Sequence, residues 1–303
     1  MRPEVVTKLN SISGLCLSLG ADLTKLTTLQ LKSKGDLLVC TTENALIKCL
    51  EILRASSLDY QILGNGSNAL LPEVLSTPLI KIDFKLDKEI FNEEKSEYEL
   101  PASTPLNVLT SKAIKYGFIG WNSFTGIPGS LGGAIFMNAG TSKGEIGSIV
   151  KSVRILRNSG EIENLMVSDK DFSYRKNHFL NHGDFILSAV LRHHGIDSNV
   201  GSEIKKYLKL RSETQPLWEK TCGCTFKNHK ITKETFAAGR IIDIMGLKGV
   251  EHKGLKISTK HANFIENLGG ATKDTYIELV DKINSEVEKR NGYRFETEVI
   301  IFR

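Results

Sequence analysis

Two glycine-rich segments carry the first chemical signal in the sequence. The first, LGNGSN, places Gly64, Asn65, Gly66, Ser67 and Asn68 directly after a run typical of a strand. Glycines let backbone N–H groups approach an anion closely, and Ser and Asn side chains add donors. The segment is not the dinucleotide-binding pattern G-x-G-x-x-G, because no third Gly follows at that spacing. A tight turn between strands uses the same residue types, so this segment alone leaves anion binding and a simple turn open.

The second segment, GIPGSLGGAIFMNAG, covers residues 126–140 and is harder to explain as a turn. Each Gly inside regular structure costs roughly 0.5–1 kcal/mol in backbone entropy relative to Ala. Close passage of a flat or phosphorylated ligand along the bare backbone would offset that cost, with Asn138 as a polar group inside the segment. The alternative is that the glycines only allow a helix and a strand to cross closely.

Two further stretches place charged groups beside apolar residues. Tyr174-Arg175 sets a guanidinium next to an aromatic ring, which can hold it rigid and aim it at a carboxylate; an ordinary surface or interstrand Arg has the same pattern. Glu298, in FETEVIIF, lies in a strand-like alternation that could bury one carboxylate if that carboxylate has a partner. An exposed Glu is the alternative.

The stretch TCGCTFKN holds Cys222 and Cys224, with Asn228 and His229 close behind. A structural zinc site needs four ligands, and the sequence has no second Cys or His cluster of suitable spacing, so we predict no metal. A redox pair usually has two residues between its cysteines rather than one. A single functional thiol after a Gly is the third option.

Composition excludes several classes of protein. The 303 residues carry a net charge of +5 and are 40% hydrophobic, which suits a globular chain of one large domain or two to three smaller ones. No Lys/Arg-rich run is interleaved with aromatic residues, so we expect no nucleic-acid partner. No apolar run approaches the roughly 18 residues of a membrane span. The lack of a signal pattern and the five cysteines without a framework spacing predict a cytoplasmic protein.

Periodicity and capping residues predict the elements that position these groups. A helix follows Thr41 or Thr42, and a second has Thr104 as its N-cap and Gly117 just past its end. A long C-terminal helix ends at Asn291-Gly292, and YRFETEVIIFR predicts a final strand. The first 195 or so residues mix helices and strands, and the rest is more helical, with a boundary near residue 197.

The order of the motifs resembles that of one enzyme family. LGNGSN, GIPGSLGGAIFMNAG, YR, CGCTFKN, AGRIIDIMGLKG, HANFIEN and ETEV follow one another as in the bacterial UDP-N-acetylenolpyruvoylglucosamine reductases, flavoenzymes that complete UDP-N-acetylmuramic acid for peptidoglycan. The resemblance runs from about residue 60 to the C-terminus, and more faintly from residue 24. No long insertion separates YRKNHF from Cys224, which is similar to the shorter subtype of the family.

The resemblance implies a fold and its domains. The fold class is α+β, with a two-lobed FAD-binding domain of the PCMH type followed by an α/β substrate-binding domain. The implied bounds are 1–60 for the first lobe, 61–197 for the second and 198–303 for the C-terminal domain, whose last strand would return Glu298 to the active site.

The resemblance also implies cofactors, a substrate and site residues. NADPH would reduce FAD, and the substrate would be UDP-N-acetylglucosamine enolpyruvyl ether. Arg175 and Glu298 would stabilise the enolate, Cys224 would be the general acid, and Tyr174, Lys227, Asn228 and Lys248 would contact substrate. The residues implied for FAD binding are Gly64, Asn65, Gly66, Ser67, Asn68, Gly126, Ile127, Pro128, Gly129, Ser130, Gly132, Gly133, Asn138, Ala139 and Gly140.

The sequence also departs from the family pattern. Cys224 stands where Ser is common, His229 where Pro is common, and only Gly35 marks an N-terminal region that usually has a Gly-Gly. A thiol is a far better acid than an alcohol, so the first departure is chemically sensible. Two alternatives stay open: another FAD-dependent oxidoreductase of this fold, and a non-catalytic nucleotide-sugar sensor. A monomer is favoured, with the oligomeric state open.

Overall fold

Helices and short strands alternate along the chain. The computed structural model describes residues 1–231 and 234–303, and the side chains of residues 229–235 are outside that description. Its α-helices are α1 (Pro3–Asn10), α2 (Glu43–Ala55), α3 (Leu106–Tyr116), α4 (Leu131–Met137), α5 (Val200–Thr214), α6 (Ala238–Ile244) and α7 (Lys273–Asn291). Short 3₁₀ turns cover Thr24–Leu26, Lys88–Phe91, Trp121–Phe124, Ile146–Ser148 and Asp169–Asp171.

The strands are mostly short. They are β1 (Leu15–Asp22), β2 (Lys34–Cys40), β3 (Gln61–Ile62), β4 (Ala69–Leu70), β5 (Leu79–Ile82), β6 (Glu97–Pro101), β7 (Gly140–Thr141), β8 (Gly144–Glu145), β9 (Val150–Leu156), β10 (Ile162–Met166), β11 (Phe172–Ser173), β12 (Lys176–Asn177), β13 (Phe185–Arg192), β14 (His229–Ile231), β15 (Glu234–Phe236), β16 (Glu251–His252), β17 (Leu255–Ile257), β18 (Ile265–Asn267) and β19 (Ile300–Ile301). This mixture of helices and separate sheets confirms the α+β class.

The chain divides into two compact units, each built from separate stretches of sequence. Unit 1 consists of Met1–Gly20, Asp36–Asn65 and Thr77–Leu208, and unit 2 of Ala21–Gly35, Gly66–Ser76 and Lys209–Arg303. The three domain bounds drawn from the sequence stay a prediction.

Unit 1 contains two four-stranded sheets, besides the short pairs β7-β8 and β11-β12. One has the order β1-β2-β5-β3, with β5 parallel to both β2 and β3. Helix α2 begins after Thr42, whose side chain accepts a hydrogen bond from Ala45 N at 3.1 Å. Its buried residues, Ala45, Leu46, Cys49, Leu50 and Leu53, join the core beside that sheet. The predicted cap and helix are confirmed.

The second sheet of unit 1 is antiparallel, with the order β10-β9-β13-β6. Helices α3 and α4 share a core with it that includes Trp121 and Phe124. Gly117 ends α3 with φ of 74° as predicted, but the N-cap is Pro105 and not Thr104. The Thr104 prediction was wrong because the main chain of Thr104 is bonded instead to the glycine-rich segment, through Leu131 N at 2.8 Å.

Unit 2 packs around helix α7. Thr272 caps α7 through Thr275 N. Gly292 ends the helix with φ of 75°, as the sequence predicts. Tyr276, Leu279, Ile283 and Val287 are buried on its inner face. The predicted final strand is much shorter than its sequence pattern, since only β19 forms, parallel to β4, with Ile300 opposite Ala69.

Candidate active site

In unit 1, the loop after β3 lies against the start of α4. A Cβ added to Gly64 would lie 2.9 Å from Ser130 Oγ, so Gly permits the close approach. Within the part of the chain that the structure describes, the main-chain N–H groups of Gly64 and Asn65 donate no hydrogen bond. Such N–H groups at a bare turn are suited to an anion such as a pyrophosphate.

The glycine-rich segment 126–140 contains a helix, α4, which starts inside it. Ser130 caps α4 by accepting from Gly133 N at 3.4 Å. Leu131 N donates to Thr104 O and Gly132 N to Ala102 O, both at 2.8 Å. The first N–H groups of α4 are therefore used inside the protein and do not form an anion site.

Several of the glycines are explained by packing. A Cβ on Gly132 would lie 2.9 Å from Ala102 Cβ, and one on Gly140 would overlap Gly144 O. In unit 2, a Cβ on Gly66 would overlap Leu26 O, and φ at Gly66 is +64°. Close internal packing, one of the two alternatives for the segment 126–140, is thus a sufficient reason for Gly132 and Gly140, and the close approach to Leu26 O is one for Gly66.

Asn138 ends α4 in the left-handed conformation, with φ of 45°, and its side chain is buried. Its Nδ2 donates to Glu145 Oε2 at 2.8 Å and to Ser173 O at 3.0 Å. Its Oδ1 accepts from Gly147 N at 3.1 Å. Asn138 therefore ties the end of α4 to the segment that leads into Tyr174-Arg175.

Arg175 is held from several sides. Its Nη2 donates to Gly140 O at 3.3 Å, its Nη1 lies 3.7 Å from Glu145 Oε1, and its guanidinium carbon lies 5.0 Å from the centre of the Tyr174 ring. Its backbone φ is +57°, which costs about 1–3 kcal/mol for a residue with a side chain. Strain of this kind is typical of functional positions, and it supports the predicted role of this residue.

In unit 2, the segment that carries Cys224 is clamped by main-chain pairing on both sides. Cys224 forms an isolated bridge with Phe264, and Phe226 forms one with Thr297. Asn263 secures the segment, because its Oδ1 accepts from Phe226 N at 2.9 Å and its Nδ2 donates to Phe226 O at 2.8 Å. Cys224 itself is half-buried.

The same pairing brings Glu298 next to this segment. Glu298 N donates to Thr225 O at 2.8 Å, and Asn68 Nδ2 donates to Glu298 O at 2.8 Å. Asn68 O in turn accepts from Ile300 N at 3.1 Å. Unit 2 thus gathers Asn68, Cys224 and Glu298, three of the residues singled out from the sequence, on adjoining segments.

The buried hydroxyl of Tyr276 contacts the segment that carries Cys224. Tyr276 OH lies 3.1 Å from Thr225 Oγ1 and 3.4 Å from Cys222 Sγ. Burial, with the neighbouring Cys222 and, more weakly, Cys224, raises the pKa of Tyr276 well above its usual range. Burial also raises the pKa of Cys222 to about 11, with Glu298 adding to the effect and Tyr276 opposing it. Cys222 therefore stays a neutral thiol at physiological pH.

Each of the residues of unit 2 that we predicted to contact substrate is held by another group of that unit. Lys227 Nζ pairs with Glu296 Oε1 at 2.5 Å, and Lys248 Nζ with Asp243 Oδ2 at 2.8 Å. Asn228 Oδ1 accepts from Ala238 N at 3.1 Å, at the start of α6. These contacts position the three side chains, whose substrate roles stay a prediction.

The described residues hold neither a metal-binding cluster nor a membrane-spanning helix. Among them, no three His, Cys, Asp or Glu side chains are arranged to hold a metal ion, and the side chain of His229 lies outside that description. In the same part of the chain, no helix is long and apolar enough to cross a membrane.

The residues of unit 1 fit a bound FAD on two observations. The first is that the main-chain N–H groups of Gly64 and Asn65 donate no hydrogen bond among the described residues. The second is that the hydroxyl of Thr104 is buried and has no hydrogen-bond partner among those residues. Thr104 lies beside the glycine-rich segment, to which its main chain is bonded. A cofactor with phosphates and ring heteroatoms can supply partners for these groups.

Sequence reasoning missed three residues that hold the site groups in place. Glu145 holds Asn138 and Arg175, Asn263 holds Phe226, and Tyr276 contacts Cys222 and Thr225, the residues that flank the Gly223-Cys224 pair. The only available signal was for Asn263, inside the apolar stretch HANFIEN.

Two family models match the chain. Residues 37–166 match an FAD binding domain, and residues 215–302 match the C-terminal domain of UDP-N-acetylenolpyruvoylglucosamine reductase. The first match agrees with the predicted PCMH-type FAD-binding domain.

Individual relatives agree with the family models. The chain is 36% identical over 282 residues to the UDP-N-acetylenolpyruvoylglucosamine reductase of Pediococcus pentosaceus, covering 92% of each chain. It is 34% identical to the enzyme of the same name from Chlamydia pneumoniae, over 83% of this chain and 80% of that one. The crystal structure of the Thermus caldophilus enzyme, MurB, superposes with a TM-score of 0.78 at 29% identity, covering 95% of this chain and 99% of that one.

Proposed function

The chain belongs to the UDP-N-acetylenolpyruvoylglucosamine reductase family, and from that premise we propose how its residues carry out the reaction. It is an FAD-containing, NADPH-dependent oxidoreductase that reduces UDP-N-acetylglucosamine enolpyruvyl ether to UDP-N-acetylmuramate in peptidoglycan synthesis. The observation that carries this function is the 36% identity over 92% of the chain to an enzyme of that name.

The chemistry that FAD supplies when bound is hydride transfer, from NADPH to the terminal carbon of the enolpyruvyl group. The residues proposed to hold it are the loop 64–68 and the segment 126–140, with donors from the N–H groups of Gly64 and Asn65 and from the hydroxyl of Thr104. Gly66, Gly132 and Gly140 contribute by allowing the close packing that shapes these segments.

Arg175 is proposed to stabilise the negative charge that develops on the substrate carboxylate. A cation fixed before the reaction stabilises that charge without reorganising. The contacts with Gly140 O, Glu145 and the Tyr174 ring support this role, because they fix the guanidinium in advance. Glu298 is proposed to assist at the same group.

Cys224 is proposed to donate a proton from Sγ to the carbon next to the substrate carboxylate. The proton completes the reduction, since the terminal carbon receives the hydride and the adjacent carbon receives the proton. The clamped main chain at Phe226 and Phe264 supports the role, because it holds the thiol-bearing segment still. Lys227, Asn228 and Lys248 are proposed to contact the UDP portion.

The function is tested by spectroscopy of the purified protein. We expect bound flavin whose visible absorption bleaches on addition of NADPH and returns when the enolpyruvyl substrate is added without oxygen. NADPH consumption that depends on oxygen and a free sugar would instead indicate the alternative oxidoreductase. A protein that binds UDP-sugars but takes up no flavin would indicate the sensor.

We further propose that the enzyme acts in the cytoplasm, which its five free cysteines support, and as a monomer. Sedimentation of the flavin-loaded protein at about 34 kDa, its chain mass being 33.6 kDa, is the expected result for a monomer.

A further inference from the structure

Lys81 is a half-buried lysine next to the loop that carries Gly64 and Asn65, and it belongs to none of the sequence motifs described above. It lies on β5, between β2 and β3 in the parallel sheet of unit 1. Its Nζ donates a hydrogen bond to the main-chain oxygen of Gly64. A lysine in this setting loses hydration, and burial lowers its pKa, with Asp83 opposing that shift. A single carbonyl is the only hydrogen-bond acceptor shown for its ammonium among the described residues.

The geometry of the peptide bond gives this contact a consequence. In a planar trans peptide, the C=O of one residue and the N–H of the next point in opposite directions. When Lys81 holds Gly64 O, it therefore also fixes the direction of Asn65 N–H, away from the lysine. Asn65 N–H is one of the two loop donors without a partner in the described chain.

Without the lysine, no other hydrogen bond to Gly64 O or from Asn65 N among the described residues would hold that peptide plane. Glycine tolerates a wide range of backbone angles, so the peptide that follows Gly64 can rotate easily. A rotated peptide would present its carbonyl oxygen, which repels an anion, where the N–H is needed.

We propose that Lys81 is a positioning residue for the pyrophosphate of the cofactor: it locks the Gly64–Asn65 peptide so that Asn65 N–H faces the phosphate oxygens. The inference rests on the proposed function, because it takes FAD as the ligand. Lys81 acts through the loop, from the side of the peptide opposite to Asn65 N–H.

The test compares flavin release from four holoproteins: wild type, K81M, K81R and K85M. Lys85 is exposed and lies four residues further along, so K85M removes the same charge without the loop contact. Release is followed as the rise in flavin fluorescence after dilution. Loss of a hydrogen bond to a charged group is worth about tenfold or more in affinity, so we expect K81M to release FAD about tenfold faster or more. K81R and K85M should stay within about threefold of wild type.

A release rate of K81M equal to that of K85M would overturn the proposal. If K81M does not fold, K81L replaces it, because its apolar side chain also cannot donate to Gly64 O. Release about tenfold faster is again expected, and a wild-type rate for K81L would equally overturn the proposal. The outcomes separate from those of the proposed function. A wild-type protein that cannot be loaded with FAD refutes the function, whereas FAD retained equally by all variants refutes only the role of Lys81.

Discussion

Replacing Asn263 with alanine should loosen the segment that carries Cys224. The amide of Asn263 makes both hydrogen bonds to the main chain of Phe226, at 2.9 and 2.8 Å, and both residues are buried. N263A leaves the N–H and the C=O of Phe226 without partners in a site closed to water. An unsatisfied buried polar group costs about 1–3 kcal/mol, and N263A leaves two of them, so we expect it to lose roughly 2–6 kcal/mol in free energy of unfolding.

The chain offers a matched control in the same unit. Asn284, on α7, clamps Phe295 in the same way, with Oδ1 accepting from Phe295 N at 2.9 Å and Nδ2 donating to Phe295 O at 3.2 Å. The rings of Phe226 and Phe295 pack together with centroids 5.6 Å apart. N284A should therefore lose a similar free energy of unfolding, without removing the bonds on Phe226.

Hydrogen exchange at single amides separates the two variants. In N263A the Phe226 amide should lose protection, whereas in N284A the Phe295 amide should lose it and that of Phe226 should keep it. Well below both melting temperatures, kcat should fall more in N263A, since Phe226 is two residues from Cys224. The reasoning is refuted if N263A keeps Phe226 protected, or if it loses less than about 0.5 kcal/mol of stability.

Three further changes have expected outcomes. Alkylation with iodoacetamide should inactivate the wild-type enzyme through Cys224. Cys224→Ser, which is less active than wild type before treatment, should lose no further activity. Cys16 is the exposed control, so Cys16→Ser should be inactivated like wild type. Asp184, in unit 1, accepts hydrogen bonds from the guanidinium of Arg157 and from the main-chain N–H groups of Asn158 and Asn181. Burial raises the pKa of Asp184, but these hydrogen bonds and the charge of Arg157 lower it by more, so the pKa lies below its ordinary value. The ionised carboxylate therefore stabilises the fold above its ordinary pKa, and this stabilisation is lost as pH falls through the lowered pKa. The melting temperature should accordingly fall less with decreasing pH in Asp184→Asn than in wild type. Gly66→Ala should lower the free energy of unfolding by at least about 3 kcal/mol in denaturant titration, because the added Cβ overlaps the main-chain oxygen of Leu26. Gly269→Ala is the control: Gly269 also has a positive φ but faces open space, so its substitution should cost about 1–2 kcal/mol. Equal losses in the two variants would contradict the steric explanation.

The sequence alone was sufficient for the family, the α+β class and the main helices. Caps and periodicity are local, so Thr42 before α2 and Gly292 after α7 could be recognised from a few neighbouring residues. The ordered motifs led to the family because their glycines and polar residues are chemically unusual. The Thr104 cap failed for the opposite reason, since a bond to Leu131, 27 residues on, decided where α3 begins.

Tertiary structure alone decided which side chains hold the site residues. Asn263 reaches Phe226 across 37 residues of sequence, Asn138 reaches Ser173 across 35, and Lys81 reaches Gly64 across 17. No local pattern encodes such pairs, because a buried donor or acceptor is satisfied by whichever group the fold brings within about 3 Å. The sequence therefore determined which reactive and polar groups this protein carries, and the fold determined which side chains hold those groups in position.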